Sequence, residues 1–153
     1  FQLMNRMSDG CALKQSLETE TYGSKYYASV PMVETASILN KNGDVTIFAV
    51  SRDTDEEIEL EIHGSGFGSM KIAKHIVIHH ESPEAVNTAE DPFQVVPREE
   101  SVPENSTSAV LKPLSFNVIV LHAETPPETC ADFDRIPEAG RPTPYISPIL
   151  GSR

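Results

Sequence analysis

The chain of 153 residues has no tryptophan, 2 cysteines, and 12 lysines and arginines against 23 aspartates and glutamates, which gives a formal net charge of -11. This shortage of positive charge disfavours binding to nucleic acid or to an anionic membrane, because both would repel an acidic surface. No apolar run approaches the roughly 18 residues that a membrane span needs. No basic segment followed by an apolar core indicates a leader peptide. We therefore expect neither nucleic acid nor membrane as a partner.

The chain is also too short for some folds. A (β/α)₈ barrel needs roughly 200 residues or more, whereas a single domain of this length buries about two thirds of its unfolded surface and can fold without a metal. Because the sequence begins at Phe1 rather than at Met, we expect it to be an excised or processed piece of a longer protein.

The two cysteines, Cys11 and Cys130, lie near opposite ends of the sequence and show no repeated spacing. We expect two free thiols rather than a disulfide framework. The expected location is the cytoplasm, with secretion as the alternative. Only in a secretory compartment would the tripeptide Asn105-Ser106-Thr107 accept a glycan.

Short strand patterns alternate with turn residues along most of the sequence. In residues 57–63 apolar and polar side chains alternate without a break, which predicts a half-buried strand. Residues 70–80 also fit a helical stripe, but their β-branched content favours a strand. Residues 30–51 form a predicted hairpin around Asn42 and Gly43, which tolerate the dihedral angles of a tight turn. Further strands are predicted at 44–51, 107–112 and 115–122.

No segment predicts an amphipathic helix of three turns. Repeated short strands without helical crossovers indicate an all-β fold, an antiparallel and jelly-roll-like β-sandwich, and exclude a βαβ fold. We assign the sandwich to residues 1–122.

Two regions do not fit this ladder of strands. Residues 81–105 are polar and rich in proline, which predicts a structured functional loop or an excursion that contacts a partner. Residues 123–153 hold half of the prolines and are predicted to be an irregular tail or linker that cannot enter a sheet interior. The candidate anchors of this tail are Tyr145, Ile146, Ile149 and Leu150.

Three glutamates, Glu57, Glu59 and Glu61, share one face of a predicted strand. Positions i and i+2 of a strand lie roughly 6.6 Å apart, within the range that an inverting glycosidase needs between its two carboxyl groups. No aromatic residue lies among them to stack on a sugar, and like charges on alternate positions are typical of a solvated face. We therefore assign no catalytic residue.

The histidines and the glycine-rich segment do not match the sequence patterns of ligand sites. His75 and His79 would lie roughly 13 Å apart on a strand and could not share a metal ion, and His80 completes no H-E-x-x-H motif. The glycine-rich residues 64–68 lack the lysine of a phosphate-binding loop and precede a strand, so they are interpreted as a connection between strands. No G-x-S-x-G elbow is present. We expect no metal and no cofactor.

A sugar platform is the main alternative, because β-sandwiches often bind glycans through aromatic side chains. The tyrosines Tyr22, Tyr26 and Tyr27 cluster in one polar stretch, and Tyr145 lies apart from them. Exposed together they could stack on sugars, whereas against a neighbouring domain they would be interface residues. We favour the interface, and keep a stand-alone carbohydrate-binding module as the alternative function.

Four segments in order resemble one enzyme family. They are residues 10–39 with A-L-K and Y-G-S-K-Y-Y-A-S-V-P, residues 46–52 (TIFAVSR), residues 87–97 (NTAEDPFQVVP) and residues 114–121 (LSFNVIVL). Together they resemble the C-terminal domain of family 51 α-L-arabinofuranosidases, over about residues 10 to 122. The sequence departs from the family at Ser51, where asparagine is usual, and at Phe116, where tryptophan is common.

The resemblance implies a parent enzyme that hydrolyses terminal non-reducing α-L-arabinofuranosyl residues in arabinan, arabinoxylan or their oligosaccharides, with retention of configuration. It implies that the two catalytic glutamates belong to a (β/α)₈ barrel that precedes this piece, so no catalytic residue is carried over. We expect this chain alone to be inactive, and to support its own barrel and the assembly of a homo-oligomer through residues 81–97. There Asn87, Thr88 and Glu90 offer polar contacts. Cut from its barrel, the chain should associate through an exposed apolar patch.

Overall fold

A computed structural model describes residues 2–127 and the backbone of residues 145–151. The described elements are strands, apart from one short helix. They are α1 (Gln2–Met7), β1 (Gly10–Ala12), β2 (Thr21–Tyr22), β3 (Val30–Pro31), β4 (Val33–Asn40), β5 (Val45–Ser51), β6 (Ile58–Ser65), β7 (Met70–Ile78), β8 (Arg98–Glu100), β9 (Ser108–Leu111), β10 (Ser115–Ala123) and β11 (Tyr145–Gly151).

The strands form two main sheets. A six-stranded sheet has the order β1-β4-β5-β10-β7-β8, and a three-stranded sheet has the order β11-β6-β9. A short ribbon pairs β2 with β3. Every pair among these strands is antiparallel. The predicted all-β antiparallel class is confirmed.

The predicted hairpin is confirmed as β4 and β5, which pair from Val33 opposite Ser51 to Leu39 opposite Val45. Gly43 in the turn has a φ of 90°, a left-handed conformation that L side chains rarely adopt. Its backbone N–H donates to the carbonyl oxygen of Asn40 at 2.9 Å.

The main core lies between the two sheets. Strand β5 is buried on both faces almost throughout, because it lies inside the larger sheet and carries mainly apolar residues. The side chains of this core include Val33, Leu39, Val45, Ile47, Ala49, Leu60, Ile62, Phe67, Ile72, Ala109, Leu111, Ile119 and Leu121. The glycine-rich connection between β6 and β7 contributes Phe67, which is fully buried.

A second, smaller cluster covers the outer face of the six-stranded sheet. Phe48 and Val118 lie opposite each other on β5 and β10, and Leu3 and Met7 of α1 pack against this cluster. No sequence pattern predicts α1, because six residues are too few to establish a helical period. A Phe116 ring stacks on Phe48 with 6.2 Å between the centroids.

The prediction of an irregular tail is wrong for residues 145–151, which form β11 against β6. The position of β11 agrees with the argument from proline, since this strand lies at the edge of the three-stranded sheet. The side chains of the predicted anchors lie outside the described residues. The boundary between sandwich and tail at residue 122 stays a prediction.

The prediction of two free thiols is wrong for Cys11, which is disulfide-bonded. Its side chain is half-buried and packs against the main core. Two widely separated cysteines were weak evidence for either state, since sequence spacing does not give the distance between Cβ atoms. Cys130 lies outside the described residues.

Several polar side chains are also buried in the six-stranded sheet. Asn117 is fully buried on β10, and its side-chain nitrogen donates to the carbonyl oxygen of Ala49 at 3.3 Å and to Ser115 Oγ at 2.8 Å. Because this nitrogen is used, the Asn117 oxygen faces His75 and accepts from Nε2 at 3.0 Å. The neutral His75 ring therefore carries its proton on Nε2.

Burial lowers the pKa of His75, against the hydrogen bond to Asn117 and the charge of Glu100, which raise it; the charge of Lys112 lowers it further. The folded protein then binds this proton less readily than the unfolded chain does. The stabilising effect of neutral His75 is present above its ordinary pKa of about 6.5 and is lost as the pH falls below that value.

Substitution Phe67→Ala should lower the free energy of unfolding by about 3 to 5 kcal/mol, because it leaves a cavity in a fully buried site. The matched control is Phe93→Ala, whose ring is exposed and whose loss should have little effect on the isolated chain. Urea unfolding followed by far-UV circular dichroism measures both. Equal effects would contradict the placement of Phe67 in the core.

Lowering the pH from 7.5 to 5 should lower the melting temperature of the wild-type chain by more than it lowers that of a His75→Gln variant. The variant lacks the hydrogen bond from His75 to Asn117 at every pH. It also has no group at this site that takes up a proton on unfolding, so its stability depends less on pH. Thermal melts at several pH values give the two slopes. Parallel slopes would show that His75 does not titrate with a lowered pKa.

Candidate functional site

The excursion at residues 81–97 connects β7 to β8 and is held together by its own polar groups. The side-chain nitrogen of Asn87 donates to the Val95 carbonyl oxygen at 2.9 Å, and the Val95 N–H donates to Asn87 Oδ1 at 2.7 Å. The Asp91 N–H donates to Thr88 Oγ1 at 3.0 Å. Asn87 and Thr88 thus fix the shape of the loop, and their groups were expected instead to contact a partner.

This internal clasp leaves large apolar side chains on the outside. Val86 is 63% exposed and Phe93 is 74% exposed. Pro92 precedes Phe93 and fixes one backbone angle beside it. An ordered loop that presents an exposed ring loses little entropy on docking, which is typical of an interface residue.

A second exposed aromatic pair lies in the turn between β2 and β3. Tyr26 and Tyr27 are 79% and 69% exposed, while Tyr22 is half-buried on β2. The turn is closed by Ser24, whose Oγ accepts from the Tyr27 N–H at 3.1 Å. Lys25 Nζ lies 5.4 Å from the centroid of the Tyr26 ring and covers one of its faces.

A cleft of about 420 Å³, lined by both charged and apolar residues, lies between the edge strands β8 and β9. His75 closes it from the inside, and Cα pairing places Glu100 of β8 opposite His75 of β7. Lys112 Nζ contacts Glu100 Oε1 at 2.6 Å. Glu57 and Glu59 of the predicted solvated face also line this cleft.

Two opposite charges in the cleft, those of Glu100 and Lys112, are paired with each other. The hydrogen bond from Lys112 lowers the pKa of Glu100, in spite of some desolvation. Among the lining groups Glu57 is exposed and Glu59 is half-exposed. No local sequence pattern predicts the pairing of Glu100 with Lys112, because it joins β8 of one sheet to the residue after β9 of the other.

The histidines considered as metal ligands are used in other ways. His79 Nδ1 donates to the Pro113 carbonyl oxygen at 2.8 Å, and His80 Nδ1 accepts from the Ser82 N–H at 3.0 Å. In the part of the chain that the structure describes, no group of three or more His, Cys, Asp or Glu side chains could hold a metal ion. No helix of that part is long and apolar enough to cross a membrane.

Residues 1–115 match the family described as the α-L-arabinofuranosidase C-terminal domain. The chain is 35% identical over 120 residues to the intracellular exo-α-(1→5)-L-arabinofuranosidase 1 of Bacillus subtilis (strain 168), covering 76% of this chain and 24% of the relative. It is 32% identical over 116 residues to the intracellular exo-α-(1→5)-L-arabinofuranosidase of Halalkalibacterium halodurans, covering 73% of this chain and 23% of that protein.

The fold is also similar to parts of solved structures. An α-L-arabinofuranosidase from Thermotoga maritima gives a TM-score of 0.61 at 21% identity, over 80% of this chain and 27% of that one. A family 51 α-L-arabinofuranosidase from Bifidobacterium longum gives a TM-score of 0.56 at 23% identity, over 69% of this chain and 20% of that one.

The alignments thus place the sequence on one part of much longer proteins: the chain spans about a quarter of the length of the curated relatives it matches. The family match includes β1 to β9 and ends at Ser115, the first residue of β10. The segments that suggested the family in the sequence lie within or next to this match. The chain belongs to the α-L-arabinofuranosidase C-terminal domain family.

Proposed function

We propose that this chain is the non-catalytic C-terminal domain of an α-L-arabinofuranosidase. The parent enzyme would hydrolyse terminal non-reducing α-L-arabinofuranosyl residues in arabinan, arabinoxylan or their oligosaccharides, with retention. The observation that carries this proposal is the family match over residues 1–115, in a chain that spans about a quarter of relatives named as exo-α-(1→5)-L-arabinofuranosidases.

The chemistry of the cleft between β8 and β9 supports a non-catalytic role. Glycoside hydrolysis needs one carboxylic acid whose pKa is raised so that it can protonate the leaving group. The best-placed carboxyl group in the cleft is Glu100, and its pKa is lowered by Lys112. A carboxylate held ionised by an ammonium group is unsuited to donate a proton.

The domain would support its own barrel and the assembly of a homo-oligomer. The exposed Val86 and Phe93 give the excursion an apolar surface without neighbours in the described part of the chain that bury it. Burial of such side chains against a second domain is favourable by about 1.5 to 3 kcal/mol for each fully buried side chain.

A carbohydrate-binding module is the second candidate, favoured by the exposed pair Tyr26 and Tyr27. Two features argue against it. The sequence has no tryptophan, and Lys25 already occupies one face of the Tyr26 ring. With one face of the Tyr26 ring covered, the turn offers a sugar only a small stacking surface.

In the full-length enzyme, a Val86→Ser and Phe93→Ser double substitution should lower the melting temperature by several degrees or shift the mass measured by light scattering. The same pair should leave the isolated chain's melting temperature nearly unchanged, because both side chains are already exposed there. The control pair is Glu84→Ser and Gln94→Ser in the same loop, both exposed. An unchanged melting temperature and mass in the full-length double variant would contradict the interface.

The isolated chain should neither release arabinose from a chromogenic arabinofuranoside nor be retarded by arabinan or arabinoxylan in an affinity gel. Retardation that is lost in a Tyr26→Ala and Tyr27→Ala variant would favour the carbohydrate-binding module. Release of arabinose by the isolated chain, abolished by Glu100→Gln, would overturn the non-catalytic assignment.

A further inference from the structure

We propose that Asn105 carries an N-linked glycan and that this protein folds in an oxidising secretory compartment. Asn105, Ser106 and Thr107 form an acceptor tripeptide for N-glycosylation. No other asparagine of the sequence is followed two positions later by serine or threonine. Two further features support modification at this tripeptide: its position in the fold and an independent sign of an oxidising compartment.

The fold places Asn105 at the outer tip of the loop between β8 and β9. The residue is exposed and has a φ of 58°, a left-handed conformation that asparagine adopts more readily than most residues. Within the described residues, its side-chain amide has no hydrogen-bond partner. Its nitrogen is therefore available for a sugar without loss of a native contact.

The residues beside Asn105 hold this loop to both sheets. The Ser106 carbonyl oxygen accepts from the Ile72 N–H of β7 at 2.8 Å, and the Thr107 carbonyl oxygen accepts from the Ile62 N–H of β6 at 2.9 Å. Both bonds use backbone groups, so they form whether or not Asn105 is modified. A glycan added before folding would stay in solvent once these bonds close.

The surface next to Asn105 has room for the first sugars. An open polar depression of about 490 Å³ includes Asn105 in its lining, together with Lys71, Lys74, Glu99 and Glu104. These charged side chains can hydrogen-bond sugar hydroxyl groups.

The disulfide at Cys11 gives the independent sign of the compartment. Disulfides persist in oxidising compartments and are rare in the reducing cytosol. The secretory pathway provides both disulfide formation and transfer of glycans to asparagine. The relatives named intracellular share 27 to 35% identity with this chain. For this chain we adopt secretion, the alternative location.

The transfer uses a lipid-linked oligosaccharide pyrophosphate as donor. The Asn105 side-chain nitrogen forms a bond to the anomeric carbon of the first sugar, and the bond from that carbon to the pyrophosphate oxygen breaks. The lipid pyrophosphate leaves with the bonding electrons, and a base of the transferring enzyme takes one amide proton. No oxidant or reductant takes part in this step.

The decisive measurement uses the full-length protein from its source organism. Treatment with a peptide N-glycosidase in ¹⁸O-water should convert Asn105 to ¹⁸O-labelled aspartate, read by mass spectrometry of the peptide that contains it. Alkylation before reduction should leave Cys11 unmodified. Recovery of the peptide with an unlabelled, unmodified Asn105 would overturn the glycan, and alkylation of Cys11 without reduction would overturn the compartment.

A matched pair of variants tests the acceptor site in a eukaryotic secretory host. Thr107→Ala destroys the acceptor tripeptide and Thr107→Ser preserves it, and the Thr107 side chain is exposed, so neither change disturbs the core. The wild type and Thr107→Ser should lose mass on treatment with the glycosidase, and Thr107→Ala should not. A wild type with the same mass as Thr107→Ala would contradict the proposal. These readouts do not depend on arabinofuranosidase activity.

Discussion

The pairing of β5 with β10 is the contact on which the rest of this domain depends. The two strands lie seventy residues apart in sequence at Val45 and Ser115, yet they pair residue for residue through the middle of the six-stranded sheet. Their inward side chains form the floor of the main core, and their outward side chains form the second cluster under α1. Such long-range pairing becomes favourable only when a large loop is closed. The strands within that loop, which contribute Leu60, Ile62 and Leu111 to the main core, therefore have to pack together with this pair.

The local patterns predicted much of this architecture. Alternation in residues 57–63 and β-branched content in residues 70–80 identified β6 and β7, and Asn-Gly identified the turn between β4 and β5. These signals are local because pleat and turn geometry depend on neighbours in sequence. What the patterns missed depends on distant contacts: α1 is held by the outer sheet face, β11 by an edge, and Cys11 by its disulfide.

The cleft shows the same limit in its chemistry. His75 and Glu100 were both visible in the sequence, but only the register of β8 against β7 sets them opposite each other. Burial then lowers the pKa of His75, and Lys112 lowers that of Glu100. The sequence gives the identity of each group, whereas its pKa depends on the environment that the fold creates.

The distribution of rigid and exposed parts separates two surfaces with different roles. The excursion at residues 81–97 carries exposed apolar side chains on a loop stiffened by Asn87 and Thr88, which suits burial against a protein. The loop tip at Asn105 is polar and lies beside a charged depression, which suits contact with water or sugar. If Asn105 carries a glycan, that tip must face solvent in the assembled enzyme, because a bulky hydrophilic oligosaccharide cannot be buried at an interface. The barrel and any second copy would then have to contact surfaces other than this tip, such as the exposed apolar side chains of the excursion.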